Sequence, residues 1–402
     1  MSIVEIENSI LSGTVTVPPS KSAAHRALIC SFLAGGGTVK PIIDSNDMKA
    51  TIGVIQALKN GETVLNCIES GSTMRFMIPV AASLGRDVTF IGEGSLLPRT
   101  IGEYMELLPA HSVQLEGNGF LPLKMSGQLK NGNYEVNGDV SSQYITGLLL
   151  ALANLEGDSA VVLKTKLQSK PYVDMTVKVM KDYGVDVTEC AFGYLIHGSQ
   201  KFKVQDYIVE GDWSQAAFFL VAGALGGDVK VMGLDLNSTQ GDKEIVDILK
   251  QFGADIRVCD NCVEVKKSQL KGIVIDAQNI PDMVPALAVC AAFADGKTII
   301  KGAERLRYKE SNRIESVVKN LEKMGVDVTE TKDGMIINGG HVQGAEIDGY
   351  NDHRIVMAFS IAALFANGKT VISDAHSINK SYPDFFKDYN RLGGKANVIC
   401  DR

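Results

Sequence analysis

One pattern recurs six times along this chain, and it restricts the fold more than any other feature. A short polar segment carrying Ser, Asp or Gly leads into an apolar, helix-patterned run. That run ends at Gly or Asn-Gly and passes into a β-branched strand. The copies begin at Ser20-Lys21-Ser22-Ala23-Ala24-His25-Arg26, Glu69-Ser70-Gly71-Ser72-Thr73-Met74-Arg75, Asp139-Val140-Ser141-Ser142-Gln143, Gly211-Asp212-Trp213-Ser214-Gln215, Ile280-Pro281-Asp282-Met283 and Asn351-Asp352-His353-Arg354. Ser22 and Ser72 are 50 residues apart, and the later copies follow at intervals of roughly 70.

A second, more amphipathic helix is predicted after each first one, over 48–58, 101–108, 175–183, 243–252, 314–324 and 384–392. In the fourth of these, Ile245, Ile248, Leu249 and Phe252 fall at helical spacing. Most then pass through a glycine into short alternating strands, such as Gly184-Val185-Asp186-Val187 and Gly325-Val326-Asp327-Val328. The unit therefore reads as β-α-β-α-β-β. First helices such as 145–155 and 355–365 are apolar all round and must be buried on every side, whereas the second helices keep a polar face outward. A chain of 402 residues is too long for one ordinary core. Three repeats per domain give two similar α/β halves with buried parallel helices.

Composition excludes several classes of function. With a net charge of −7 and pI of about 5.5, the chain lacks the basic footprint of a nucleic-acid surface. No run of roughly 20 apolar residues could span a membrane. The start, Met1-Ser2-Ile3-Val4-Glu5, has neither the basic nor the apolar region of a signal peptide. The seven cysteines fit reduced thiols and a cytoplasmic location. Cys259 and Cys262 have CxxC spacing, but zinc would need a second pair, and Asp260-Asn261 reads as a hairpin turn. No HExxH pattern, Walker motif or strand-following GxGxxG is present, so neither a metal nor a nucleotide cofactor is expected.

Parallel buried helices would put all their N-termini on one face, each with free N–H groups and about half a positive charge. Three such ends per domain, in two facing domains, would make a cleft suited to phosphate and carboxylate. Ser22, Ser142 and Asp282 could each be a plain N-cap. Capping does not explain Lys21, Arg26, Arg75 and Arg354 near helix starts, where cations oppose the dipole. The segment Arg305-Leu306-Arg307-Tyr308-Lys309-Glu310-Ser311-Asn312-Arg313 is either a solvated charged face or part of the same anion site.

At these residues the chain resembles the 5-enolpyruvylshikimate-3-phosphate synthases (3-phosphoshikimate 1-carboxyvinyltransferases) along its full length. The likeness rests on Pro19-Ser20-Lys21-Ser22 with Arg26, Ser141-Ser142-Gln143, Ser169-Lys170-Pro171-Tyr172, Ile280-Pro281-Asp282, Lys309-Glu310-Ser311-Asn312-Arg313 and Asp352-His353-Arg354, in that order. The resemblance implies the enolpyruvyl transferase fold, an inside-out α/β barrel in two domains. Residues 19–209 would form one domain and 1–18 with 210–402 the other, with the active site in the cleft between them.

It further implies transfer of the enolpyruvyl group of phosphoenolpyruvate to the 5-hydroxyl of shikimate 3-phosphate. Phosphate is released through a tetrahedral intermediate, on the route to chorismate and the aromatic amino acids, and the enzyme is the glyphosate target. Carried over residue by residue, Lys21, Ser22, Arg26, Ser141, Ser142, Gln143, Ser169, Tyr172, Asp282 and Lys309 look like the shikimate 3-phosphate site. Lys21, Gly71, Arg99, Gln143, Arg313, Arg354 and Lys380 look like the phosphoenolpyruvate site. Asp282, Glu310 and Lys21 are the acid–base candidates: Asp282 suits the base, and Glu310 or Lys21 would protonate C3. The partners implied are these two small molecules, and the state a monomer. Two positions depart from the usual pattern: Glu69 stands where Asn is common, and Thr100 follows Arg99 where Pro is frequent. A carboxylate at 69 either repels the substrate or takes a proton from it.

Two rivals stay open in the sequence. One is the sister enzyme acting on UDP-N-acetylglucosamine, whose cysteine-bearing loop is not evident here. The other is a non-catalytic phosphate-ligand sensor, against which the presence of Lys21, Asp282, Glu310 and Arg354 speaks.

Overall fold

The computed structural model describes residues 2–400. The chain divides into two compact units, Pro19–Val209 and the segments Met1–Pro18 with Glu210–Arg402.

In the Pro19–Val209 unit the helices are α1 (Lys21–Ala34), α2 (Asn46–Asn60), α3 (Gly71–Ser83), α4 (Gly102–Leu107), α5 (Ser142–Leu152) and α6 (Lys170–Asp182). Polar starts become caps: Ser20, Ser45, Ser70 and Ser141 accept from Ala23, Met48, Thr73 and Gln143 N–H groups. Gly35 and Gly61, at φ 84° and 74°, end α1 and α2 in the left-handed conformation that closes a helix. α3 and α5 are buried almost all round, while α6 buries one stripe through Val173, Thr176, Val179 and Met180. Two four-stranded sheets flank these helices. In one, Val64–Asn66 runs parallel to Val88–Ile91, followed by the hairpin partners Leu123–Gly127 and Val113–Glu116. In the other, Asn133–Val136 lies parallel to Ser159–Leu163, then Gly193–Ile196 and Val187–Cys190.

The first repeat departs from the expected β-α-β-α-β-β. Its sheet is the two-stranded pair Val39–Lys40 and Tyr207–Ile208, and no hairpin follows α2 before Val64–Asn66. The interval of 50 residues explains this. It is about 20 residues shorter than the others, roughly the length of two strands and their turns.

The other unit contains α7 (Trp213–Leu225), α8 (Ile245–Phe252), α9 (Val284–Ala292), α10 (Arg313–Lys323), α11 (His353–Phe365) and α12 (Phe385–Arg391). α7, α9 and α11 are apolar on all sides and buried, whereas α10 keeps a charged face. Its three sheets repeat the same order of strands, with two strands supplied by the segment before Pro19. Ser12–Thr16 supplies the edge strand beside Asp228–Met232, and Ser2–Glu7 is inserted between Thr370–Ser373 and Lys395–Cys400. The fold is thus the inside-out α/β arrangement, with apolar helices enclosed by sheets.

Candidate active site

Four helix starts meet in the Pro19–Val209 unit. Capping by Ser20 puts Lys21 and Ser22 in the first turn of α1, and Arg26 one turn further. Arg26 is 3 % exposed. Its Nε donates to Thr176 Oγ1 (2.7 Å), Nη1 to Ser22 O (2.7 Å), and Nη2 to Tyr172 O (2.9 Å) and Thr146 Oγ1 (3.4 Å). Every one of these acceptors is uncharged. A buried guanidinium held only by neutral oxygens keeps most of its desolvation cost, and so favours an arriving anion. The same bonds bring the starts of α1, α5 and α6 together, which puts Ser22, Ser142, Ser169 and Tyr172 near Arg26. Ser169 heads α6 with φ +53° and is buried.

Arg75 ties α3 to α5. Its Nη1 donates to Gln143 Oε1 (2.7 Å) and Nη2 to Thr100 O (2.8 Å), while Gln143 Nε2 donates to Ser72 Oγ (3.0 Å). The bonds to Arg75 and Ser72 fix the orientation of the Gln143 amide. Lys21 is also engaged: its Nζ donates to Asp47 Oδ2 at 2.6 Å, from α1 to the first turn of α2. Beneath this pair runs a buried chain. His25 Nδ1 lies 2.7 Å from Thr51 Oγ1, Thr51 Oγ1 lies 2.7 Å from Thr73 Oγ1, and Thr73 Oγ1 donates to Ser70 Oγ (2.8 Å). Burial, opposed by Asp47, pulls the His25 imidazole down to about 3, so it stays neutral.

Gly71 opens α3 with its α-carbon close against the Arg99 guanidinium. A Cβ would stand 2.2 Å from Arg99 Nη1 and 2.3 Å from Arg99 Cζ. Arg99 therefore lies across the α3 start. Glu69, the departure noted in the sequence, fastens the turn that leads to Arg99. Its Oε1 accepts from Ser95 N at 2.8 Å and packs against the Gly94 α-carbon.

The second constellation lies in the other unit, around Arg313 at the start of α10. Arg313 is 2 % exposed and meets three carboxylates. Nε and Nη2 bind Asp352 (2.8 and 3.1 Å), Nη1 binds Asp282 Oδ1 (2.9 Å), and Nη2 also binds Glu310 Oε2 (3.1 Å). Asp282 additionally faces Lys309 Nζ (3.5 Å) and accepts from Arg354 Nη2 (3.2 Å). Burial works to raise the Asp282 carboxyl, but Arg354, Lys309 and Arg313 together overcome it and hold it well below the ordinary carboxylate range. Glu310 Oε2 lies 2.9 Å from His353 Nδ1. Arg354 Nη2 also donates to Ser214 Oγ (2.9 Å), whose hydroxyl is bound to the α7 cap Asp212 (2.5 Å). Lys380 is buried and donates to Asn351 O (2.7 Å). Just before the α11 cap, Tyr350 and Asn351 both have positive φ (51° and 47°), a strained pair that aims this carbonyl. Glu310, Asp352 and His353 are close enough to share a cation, and the Arg313 guanidinium already supplies positive charge among them.

Ser214, His25 and Thr73 are visible in the sequence only as parts of repeat starts, and Asp47, Thr51, Thr146 and Thr176 carry no signal of a site role there. Thr51, Thr146 and Thr176 were detectable as lone hydroxyls on faces whose neighbours are apolar.

The profile of the EPSP synthase (3-phosphoshikimate 1-carboxyvinyltransferase) family matches residues 6–63 and 53–389 of this chain. The chain belongs to the EPSP synthase family. Among its relatives, the 3-phosphoshikimate 1-carboxyvinyltransferase of Clostridium novyi is 41% identical, with 98% of each chain covered. That of Clostridium kluyveri is also 41% identical, with 99% of each covered. An EPSP synthase structure from Acinetobacter baumannii superposes with a TM-score of 0.83 at 29% identity and full coverage of both chains. The enolpyruvyl transferase NikO from Streptomyces tendae shares the fold, with a TM-score of 0.80 at 17% identity, covering 100% of this chain and 99% of that one.

Proposed function

We propose that this chain transfers the enolpyruvyl group of phosphoenolpyruvate to the 5-hydroxyl of shikimate 3-phosphate, with release of phosphate. The observation that carries the reading is Asp282, a carboxylate kept ionised among Lys309, Arg313 and Arg354. A group of this kind serves an addition–elimination in which one hydroxyl proton must be taken while charge on a departing phosphate is stabilised.

Arg26, with its neutral partners, suits the 3-phosphate, joined by Ser22, Ser141, Ser142 and Ser169 from the converging helix starts. Tyr172 flanks the ring. Lys21 and Gln143 touch both substrates, and Gly71, Arg99, Arg354 and Lys380 take the phosphate and carboxylate of phosphoenolpyruvate. Four N–H groups of Arg313 already bind carboxylates, out of five. Its part is therefore to orient Asp282 and Glu310 while offering one N–H to phosphoenolpyruvate.

A carboxylate held so far down is a reluctant base. Arriving anions draw Lys309 and Arg354 toward themselves, loosening their hold on Asp282 and raising its proton affinity as the hydroxyl arrives. Glu310 or Lys21 then delivers a proton to C3, and as the C2–oxygen bond to phosphate breaks a C3 proton returns to the same group, restoring the double bond. The addition needs no redox chemistry. No helix of the described residues is long and apolar enough to cross a membrane; all seven cysteines are free thiols, which suits a reducing compartment, and we take the enzyme to act there as a monomer.

Phosphate release measured with shikimate 3-phosphate and phosphoenolpyruvate together tests the reading. Release is expected only with both. Release with UDP-N-acetylglucosamine in place of shikimate 3-phosphate would assign the sister activity, and no release with either pair would leave a sensor.

A further inference from the structure

Strand Asp255–Cys259 turns through Asp260 and Asn261 into Cys262–Lys266, with Cys259 and Cys262 as register partners. Partners across a ladder point to one face of the sheet, so the two thiols share a face. The same row continues to Met232, the partner of Cys262 on the next strand. Glu264 returns to that face by the two-residue period. The two sulfurs and a Glu264 carboxylate oxygen all lie within 4.8 Å of one another.

With bonds of about 2.3 Å to sulfur and 2.0–2.2 Å to oxygen, the ligand atoms of tetrahedral zinc sit roughly 3.5–3.8 Å apart. The three donors need draw in by only about 1 Å, within the reach of side-chain rotation. Charge is suited as well. Lys230 Nζ donates to Glu264 at 2.9 Å, and Arg257 is the partner of Glu264 in the hairpin. Two thiolates and a carboxylate around a divalent cation leave one negative charge, which these neighbours offset.

We propose that Cys259, Cys262 and Glu264 form a site for a thiophilic divalent cation of the zinc class, in the same sheet row as the Met232 thioether. Binding exchanges two S–H protons for two metal–sulfur bonds, and the protons pass to solvent. Glu264 gives one oxygen to the cation and keeps the other on Lys230. A second Cys pair is not required, because the carboxylate is the third ligand. The site is independent of the transfer reaction.

Cadmium added alone to the purified full chain is the probe. One equivalent is expected to saturate an ultraviolet thiolate-to-metal band, with two protons released per chain. Cys259→Ser or Cys262→Ser should weaken binding by on the order of 100-fold and Glu264→Gln by about tenfold, each with an unchanged circular dichroism spectrum. Saturation away from one equivalent, a full band in the Cys259→Ser/Cys262→Ser double variant, or no effect of Glu264→Gln overturns the proposal. Should a variant fail to fold, alkylation of the native chain with and without cadmium decides. Protection confined to Cys259 and Cys262 supports the site, and absence of protection overturns it.

Discussion

Arg313 grips Asp352 through two nitrogens, Nε to Oδ2 at 2.8 Å and Nη2 to Oδ1 at 3.1 Å, with both side chains almost wholly out of water. Asp352 also accepts from Ser311 Oγ (3.0 Å) and from the Arg354 backbone N–H (3.0 Å), so its two oxygens make four bonds. Such a carboxylate is a fixed support for the charges around it. Removing it would leave a buried guanidinium short of a partner. Asp352→Ala is expected to destabilise its unit by about 3–5 kcal/mol, read as a lowered urea midpoint. Turnover should fall as well, because Arg313 would no longer hold Asp282 in place.

Asp282 gives a different signature. Asp282→Asn should lower kcat by roughly 10²–10⁴-fold, while shikimate 3-phosphate binding, measured by calorimetry, changes little. Its depressed carboxyl also contributes to stability. That contribution is present above the ordinary carboxylate value of 3.8 and is lost as pH falls through the lower folded value. In Asp282→Asn, the fall in stability below about pH 4 should be shallower than in the native chain. An equally steep fall would mean that the three cations do not hold Asp282 down.

Gly71→Ala tests the seating of Arg99. The new methyl meets the far end of a flexible side chain, which can swing away. The expected stability change is below about 1 kcal/mol, while the KM for phosphoenolpyruvate rises about tenfold or more. An unchanged KM would remove Arg99 from the phosphoenolpyruvate site.

His25 makes the Pro19–Val209 unit sensitive to mild acid. The imidazole is neutral in the folded state down to about 3, but protonates near 6.5 when the chain unfolds. The unfolded chain thus binds the extra proton between these values, and stability falls as pH drops below 6.5. The slope is about 1.4 kcal/mol per pH unit for one proton. His25→Gln should flatten the urea midpoint of this unit between pH 6.5 and 4.5. Thr51→Val should destabilise more than Thr51→Ser, which keeps the hydroxyl that His25 and Thr73 share.

Much of the fold was legible because each copy of the repeat announces its own boundaries. Ser20, Ser45 and Ser70 cap helices, Gly35 and Gly61 end them, and unbroken apolar runs such as α5 and α11 are the buried ones. The short first interval of 50 residues accounts for the lost hairpin, which a β-α-β-α-β-β unit repeated six times does not anticipate. The partners within each constellation were harder to see. Arg26 meets Thr146 and Thr176 from 120 and 150 residues away, and Arg354 meets Ser214 from 140. Contacts at that separation are set by how helices pack, and a threonine in an apolar run carries no mark of its partner. Glu69 is the instructive case. Its charge suggested conflict with an anionic substrate, yet the structure gives it a backbone N–H at Ser95 to bind.

The seat of Ser2–Glu7 between Thr370–Ser373 and Lys395–Cys400 has a consequence for synthesis on the ribosome. The Pro19–Val209 unit has all its strands by the time residue 209 is made. Ser2–Glu7 is made before both of its flanking strands, and the second of them follows nearly 400 residues later. At about 5–20 residues per second, that is a wait of tens of seconds or more. During this time an apolar strand built from Ile3, Val4 and Ile6 is exposed to the cell. Its early binding by a holding chaperone, and a burst of protease resistance in the other unit before release, would be the marks of that order of assembly.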